Sequence, residues 1–143
     1  MAYVGDTGQG ATVTFETTAM TGCVRSLALP EWVMEAVDAS CLADTGFTKK
    51  IPGDLTDAGE AQIVSVFAAT EAPPTTGVVE TLTITFPIGD PTNTVAATLV
   101  GTGFISTTGL PNMATNELME LNITFTYDGD TGPAFTIESK TPE

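Results

Sequence analysis

The sequence predicts an all-β fold, an antiparallel β-sandwich, and three observations carry that prediction. From Glu117 onward, Met119, Leu121, Ile123, Phe125 and Tyr127 alternate with Glu120, Asn122, Thr124 and Thr126. From Thr81, the apolar positions Leu82, Ile84, Phe86 and Ile88 interleave with Thr81, Thr83 and Thr85. A strand turns successive side chains to opposite faces, so each run is a ribbon with one buried and one solvated side. No helix makes one stripe from a period of two, and burial on a single face is the antiparallel pattern. Third, 14 Gly and 9 Pro lie between short apolar runs, which sets turn signals at the close intervals of a sandwich or barrel. The 143 residues fit one domain with its own core and at most one short helix.

In chain order, residues 1–10 are Gly-rich and polar and read as a flexible N-terminal arm. A first strand places Val13 and Phe15 inward, with Thr12, Thr14 and Glu16 outward. Residues 22–29 form a second, with Cys23, Leu27 and Leu29 on one face, and Pro30 breaks it. The stretch from Glu31 to Leu42 admits a short helix with Trp32, Val33, Ala36 and Val37 on one stripe. It also admits a strand from about Met34, and the missing helical finish after Val37 favours the strand. Trp32 reads as a core or interface anchor. Residues 43–59 have little period: a long polar loop holding Phe47, Lys49, Lys50 and Ile51, with Pro52-Gly53 late in it. Compact domains rarely keep loops of this length without a functional or contact role.

Ala61 to Phe67 is apolar on both faces, so this strand is central or covered twice. Pro87 near the end of the Thr81–Ile88 run implies an edge or a bulge. Val95 to Ile105 is a strand loosened by Gly101 and Gly103. Thr107 to Thr115 is a Gly/Pro/Asn loop, and Phe135 to Ile137 closes the sheet.

Charge and missing residue types narrow the function. Eighteen carboxylates face four cations, Arg25, Lys49, Lys50 and Lys140, for a net charge of −14. Nucleic-acid affinity comes mainly from neutralised phosphates, so this surface repels DNA and RNA, and anionic membranes likewise. No window approaches the ~20 apolar residues of a membrane helix. The first ten residues carry no basic or apolar run, so no export signal is expected and Cys23 and Cys41 read as small buried hydrophobes. There is no histidine, which removes the commonest general base and metal ligand and both the Ser-His-Asp and Cys-His systems. No enzyme activity, cofactor or metal is expected.

Two acidic motifs are weighed against that expectation. Asp-Thr-Gly occurs at Asp6, Asp44 and Asp130, and aspartic proteases carry their catalytic Asp in such a triplet. The copy at Asp44 is followed by Phe47 where a small residue is required, and Asp-x-Gly is a good turn sequence in its own right. Asp128-Gly129-Asp130-Thr131-Gly132 begins like a calcium loop, but Pro133 follows and Ser139 stands where a bidentate Glu is needed.

The order of features from residue 12 to 137 resembles the major tail protein (tail tube protein) of long-tailed bacteriophages. The first part carrying the likeness is Leu29-Pro30, a strand ending at Leu42, and a polar loop closing in Ile51-Pro52-Gly53-Asp54-Leu55-Thr56-Asp57-Ala58-Gly59-Glu60. The second is Thr115-Asn116-Glu117-Leu118-Met119-Glu120 running into Ile123-Thr124-Phe125, then Asp128-Gly129 and Pro133-Ala134-Phe135-Thr136. The resemblance implies a sandwich subunit that joins homo-hexameric rings stacked into a tube, a structural part of the virion assembled in the host cytoplasm. It further implies contacts with tape measure, tail terminator and baseplate proteins, and DNA passing through an acidic lumen without specific binding. The N-terminal arm and the 43–59 loop would bridge subunits, making Phe47, Lys49, Lys50, Ile51, Asp54 and Asp57 interface candidates. Many family members pack a short helix on the sandwich. Here only the region near Glu31 or residues 108–118 could supply it. The alternatives are another virion or surface β-sandwich, such as a decoration protein or carbohydrate-binding module, and a retropepsin-like protease using Asp44.

Overall fold

The computed structural model describes residues 10–18, 23–67, 69–70 and 72–141. Nine strands follow in order: β1 Thr12–Phe15, β2 Val24–Ala28, β3 Val33–Asp38, β4 Lys50–Asp57, β5 Glu60–Val66, β6 Val79–Thr85, β7 Thr98–Gly109, β8 Glu120–Tyr127 and β9 Ala134–Thr136. They form two antiparallel sheets, and there is no helix among the described residues. Neither position that sequence offered for a helix holds one. The segment after Glu31 is β3, and 110–118 is irregular with a turn at Thr115-Asn116. No described helix is long and apolar enough to cross a membrane.

The larger sheet has the order β1-β6-β7-β8-β5-β2, with β9 beside the start of β7. β7 is its spine. Thr98–Phe104 pairs with β6, Thr98–Val100 also pairs with β9, and Gly103–Gly109 pairs with β8. The inner face gathers Phe15, Ala61, Ile63, Leu82, Ile84, Leu99, Ile105, Leu121, Ile123, Phe125 and Tyr127 into one core. Each fully buried Ile or Phe there contributes roughly 1.5–3 kcal/mol. The Phe15 and Phe125 rings meet edge to face at 6.0 Å, although β6 and β7 separate their strands. The sheet therefore curls until its two halves face each other, the consequence of strand twist accumulating over six strands.

Gly101 and Gly103 have a packing reason to be there. A Cβ on Gly101 would lie 2.8 Å from the Tyr127 ring and 2.9 Å from Pro133 Cα. One on Gly103 would lie 2.8 Å from the Phe125 ring. The two glycines clear the floor on which the two largest rings of β8 lie, themselves edge to face at 5.3 Å. What reads in sequence as a weak strand is the half of a pair whose bulk sits in its neighbour.

Several boundaries move. β6 stops at Thr85, leaving Pro87 outside it, because proline cannot donate to a ladder. The Phe86 N–H still bonds Ala97 O at 2.9 Å. β7 begins at Thr98, after an isolated bridge from Val95 to Ser139, and runs on through Gly109. Thr107 to Gly109, expected in a loop, are held by Asn122 to Thr124 of β8. The expected loop 43–59 is a loop only to Lys49, since Lys50–Asp57 is β4. Pro52 lies within β4, because a two-stranded ribbon tolerates a missing donor. Trp32 is 52% exposed and does not enter the core. Both cysteines are exposed and free, Cys23 just before β2 and Cys41 in the loop after β3, rather than buried in strands. The expected N-terminal arm, apart from Gly10, lies outside the described residues.

Two inward or half-buried carboxylates organise loops. Glu80 of β6 lies 3% exposed on the core face. The N–H and O–H groups of Thr17 and Thr18 all donate to it, at 2.6 to 3.4 Å. Burial alone would raise its pKa, but the donors from Thr18 and Thr17 together outweigh burial and hold it below the ordinary value. Glu138 accepts the N–H groups of Gly89 and Asp90 and the Asn93 amide at 2.9 to 3.0 Å. Those donors keep its carboxyl below the usual range.

Candidate functional site

All six interface candidates fall on one element. β3 and β4 form a separate two-stranded ribbon that leaves the large sheet after β2 and returns at β5. Val37 lies opposite Ile51, Asp38 opposite Lys50 and Val33 opposite Asp57. A register shift between Met34 and Ala36 leaves Gly53, Asp54 and Leu55 bulging opposite Glu35. The ribbon packs on itself and on no other strand to any substantial extent, and every residue of β3 and all but Gly53 of β4 are exposed.

Composition makes that exposure unusual. Of the eighteen exposed large hydrophobic side chains among the described residues, nine lie between Leu29 and Leu55: Leu29, Trp32, Val33, Met34, Val37, Leu42, Phe47, Ile51 and Leu55. Phe47 at the tip is 95% exposed and Leu55 85%. An isolated hairpin is at best marginally stable in water, and this many exposed apolar side chains on one element mark it as a contact element.

The tip is ordered by polar bonds. Lys49 N–H donates to Ser40 Oγ at 2.8 Å, and Ala39 N–H to Lys49 O at 2.9 Å. Cys41 N–H donates to Asp44 Oδ2 at 2.7 Å, while Lys49 Nζ meets Asp44 Oδ1 at 3.2 Å. Ser40 donates to Asp38 Oδ1 at 2.9 Å and holds that carboxyl below its ordinary pKa. Asp57 closes the ribbon's base by accepting the Gly59 N–H at 2.9 Å. Asp54 is exposed in the bulge.

The sequence reading differs from this geometry in two ways. Lys49 already has a carboxylate partner in its own chain, and Asp44, the residue of the protease alternative, is occupied in the turn that provides it. The apolar residues of β3, Val33, Met34 and Val37, were not among the candidates. Their signal was present as alternation, but alternation reads as burial. Elsewhere, Asp128 accepts the Thr102 hydroxyl at 2.8 Å and the Asp130 N–H at 2.9 Å, which makes the calcium-like stretch a closed turn. No group of three or more metal-ligating side chains occurs among the described residues.

No family model matches the chain, and no curated protein matches it significantly.

Proposed function

We propose that this chain is a structural subunit that assembles with copies of itself into stacked six-membered rings, as the resemblance to phage tail tube proteins implies. The observation that carries the reading is the β3–β4 ribbon, an extended arm rich in apolar side chains that its own domain leaves uncovered. A second copy supplies the cover, and head-to-tail contacts that close by rotation make rings that can stack.

Two further features support it. Among the described residues the large sheet has unpaired edges at β1 and β2, hazards in a monomer that ring closure would remove. Its outer face carries Thr81, Thr83, Thr85, Thr98 and Thr102 on one half. The other half carries Glu60, Gln62, Glu120, Asn122, Thr124 and Thr126. β6, β7, β8 and β5 carry no cation: Arg25 is on the edge strand β2, Lys49 and Lys50 on the arm and Lys140 beyond β9. The same face also carries Val64, Val66, Val79, Val100 and Phe104, so a bore walled by it presents hydroxyls, amides, apolar side chains and two carboxylates, and its strands offer a passing phosphate backbone no cation to bind.

Sedimentation and negative-stain imaging over a concentration series test this directly. Rings or hollow tubes are the expected result. A protein that stays monomeric at the highest concentration overturns it.

A further inference from the structure

The large sheet curls but does not close. Among the described residues it ends in β1, paired only with β6, and in β2, paired only with β5. Between these ends lies a groove of about 520 Å³, bounded by Ala11, Phe86 and Pro87 on one side and by Val24 to Leu27 of β2 on the other. Val24, Leu27 and Phe86 are half-buried: they pack against the core from one side and line the groove on the other. Among the described residues no strand pairs with the outer edge of β2 along this seam, the arrangement to which an extended segment adds as a strand.

The seam also carries a charge. Arg25 is the only charged residue lining it among the described residues. A register shift between Val24 and Ser26 takes it out of the β2–β5 ladder, and bulges commonly re-aim a side chain in this way. Among the described residues the one ion pair is Lys49–Asp44, and Arg25 has no carboxylate partner there. In a chain of net −14, a cation in an apolar groove selects an occupant that is extended, apolar and acidic.

β3 has those properties. Its six residues, Val-Met-Glu-Ala-Val-Asp, contain no proline and no cation, and its edge away from β4 is free. β4 is a poorer donor, because Pro52 and Lys50 interrupt it. At about 3.4 Å per residue, β3 and the five-residue β2 both extend roughly 17–20 Å. Within its own copy β3 pairs only with β4.

We infer that β3 of one copy adds antiparallel to the edge of β2 of a second copy, turning Val33 and Val37 into the seam and bringing Glu35, which shares their face, toward Arg25. Every pairing in this molecule is antiparallel, and antiparallel ladders are slightly the more stable. The contact joins different surfaces of the two copies, so it propagates. It deepens the self-assembly reading and rests on it for the choice of a second copy as the occupant.

The antiparallel direction has a chemical consequence. The end of β3, followed by Cys41, then lies beside the start of β2, preceded by Cys23, and both thiols are exposed and free. Parallel addition would hold them about a strand length apart. The test mixes two single-cysteine variants, Cys23→Ser and Cys41→Ser, at high concentration and treats them with a short bis-maleimide. The same samples are imaged for tubes. A cross-linked dimer in the mixture, and in neither variant alone, is expected. Arg25→Glu should lower its yield about tenfold with the monomer still folded, and adding Glu35→Arg should restore it. Tubes without the mixed cross-link overturn this contact and leave the tube reading standing. The mixed cross-link without tubes supports the contact and overturns the tube. Homotypic cross-links, or no cross-link and no tubes, overturn the contact.

Discussion

Glu80 shows how a polar group can belong to a core. Its carboxylate would be a liability on the inner face of β6 if four donors from Thr17 and Thr18 did not satisfy it. Glu80→Gln keeps the shape and loses the charge, and should cost roughly 1–3 kcal/mol at neutral pH. The pH dependence has a definite sign. Because the folded-state pKa is depressed, the contribution is complete above the ordinary glutamate value of 4.5 and is lost as pH falls through the lowered one. Urea unfolding of Glu80→Gln should therefore differ from the native protein at neutral pH and converge with it in acid. A constant difference would mean the carboxylate is not the stabilising species. Tyr127 is the opposite case. Its hydroxyl is buried and finds no partner among the described residues, and burial pushes its pKa up to about 12. An unfolded tyrosine ionises first, so stability present below the ordinary value of 10.0 should fall as pH rises toward the folded one. Tyr127→Phe removes an unsatisfied donor, should gain about 1 kcal/mol at neutral pH, and should flatten that alkaline limb. A loss of stability at neutral pH would show that the hydroxyl has a partner.

Among the elements, the strands that pack on the core were the legible ones. β8 and β6 alternate cleanly because one face meets the core and the other meets water, and the sequence records both. β5 was legible as central from its apolar residues on both faces, and it does lie between β8 and β2. The arm was legible in part: the strand expected from about Met34 is β3, but β4 and the exposure of both strands were not expected. Val33, Val37, Ile51 and Leu55 carry the same apolar pattern as a buried ribbon, and what sets them apart is the non-local fact that no strand of the domain lies over them. Glu80 was missed for a related reason: its position in the alternation is inward, but its partners Thr17 and Thr18 are more than sixty residues away. The arm also carries its own prediction. Lys49 pairs with Asp44, and Lys50 lies opposite Asp38. Exposed pairs of this kind contribute at most about 1 kcal/mol to folding, and the arm lies outside the core. Lys49→Glu with Lys50→Glu should thus leave the thermal midpoint of the large sheet nearly unchanged. The reversal places like charges across the ribbon, which disfavours the pairing locally, and removes half of the chain's cations from its contact surface. Tube number and length in negative stain should fall sharply. Normal tubes from the double variant would remove the arm's charges from any role in assembly.

At the scale of the whole molecule, the distribution of charge matters more than its sum. A net charge of −14 keeps copies soluble but says nothing about which face meets a polyanion. The proposed bore wall is the outer face of β6, β7, β8 and β5, whose carboxylates Glu60 and Glu120 lie opposite Thr126 and Val66. Glu60→Lys with Glu120→Lys changes each subunit by +4, from −14 to −10, since each replacement adds two charges. The protein stays strongly acidic, so any gain in DNA affinity must come from where the lysines stand. Tubes of the double variant should co-sediment with short DNA at low salt and release it as salt rises, with the log–log dependence of counterion release. Native tubes should not bind it under either condition. A control with the same net charge, Glu117→Lys with Asp130→Lys in exposed loops, should bind far less. If the wall variant assembles and still ignores DNA, or if the loop control binds equally well, this face does not line the passage and the sheet must be turned the other way in the tube.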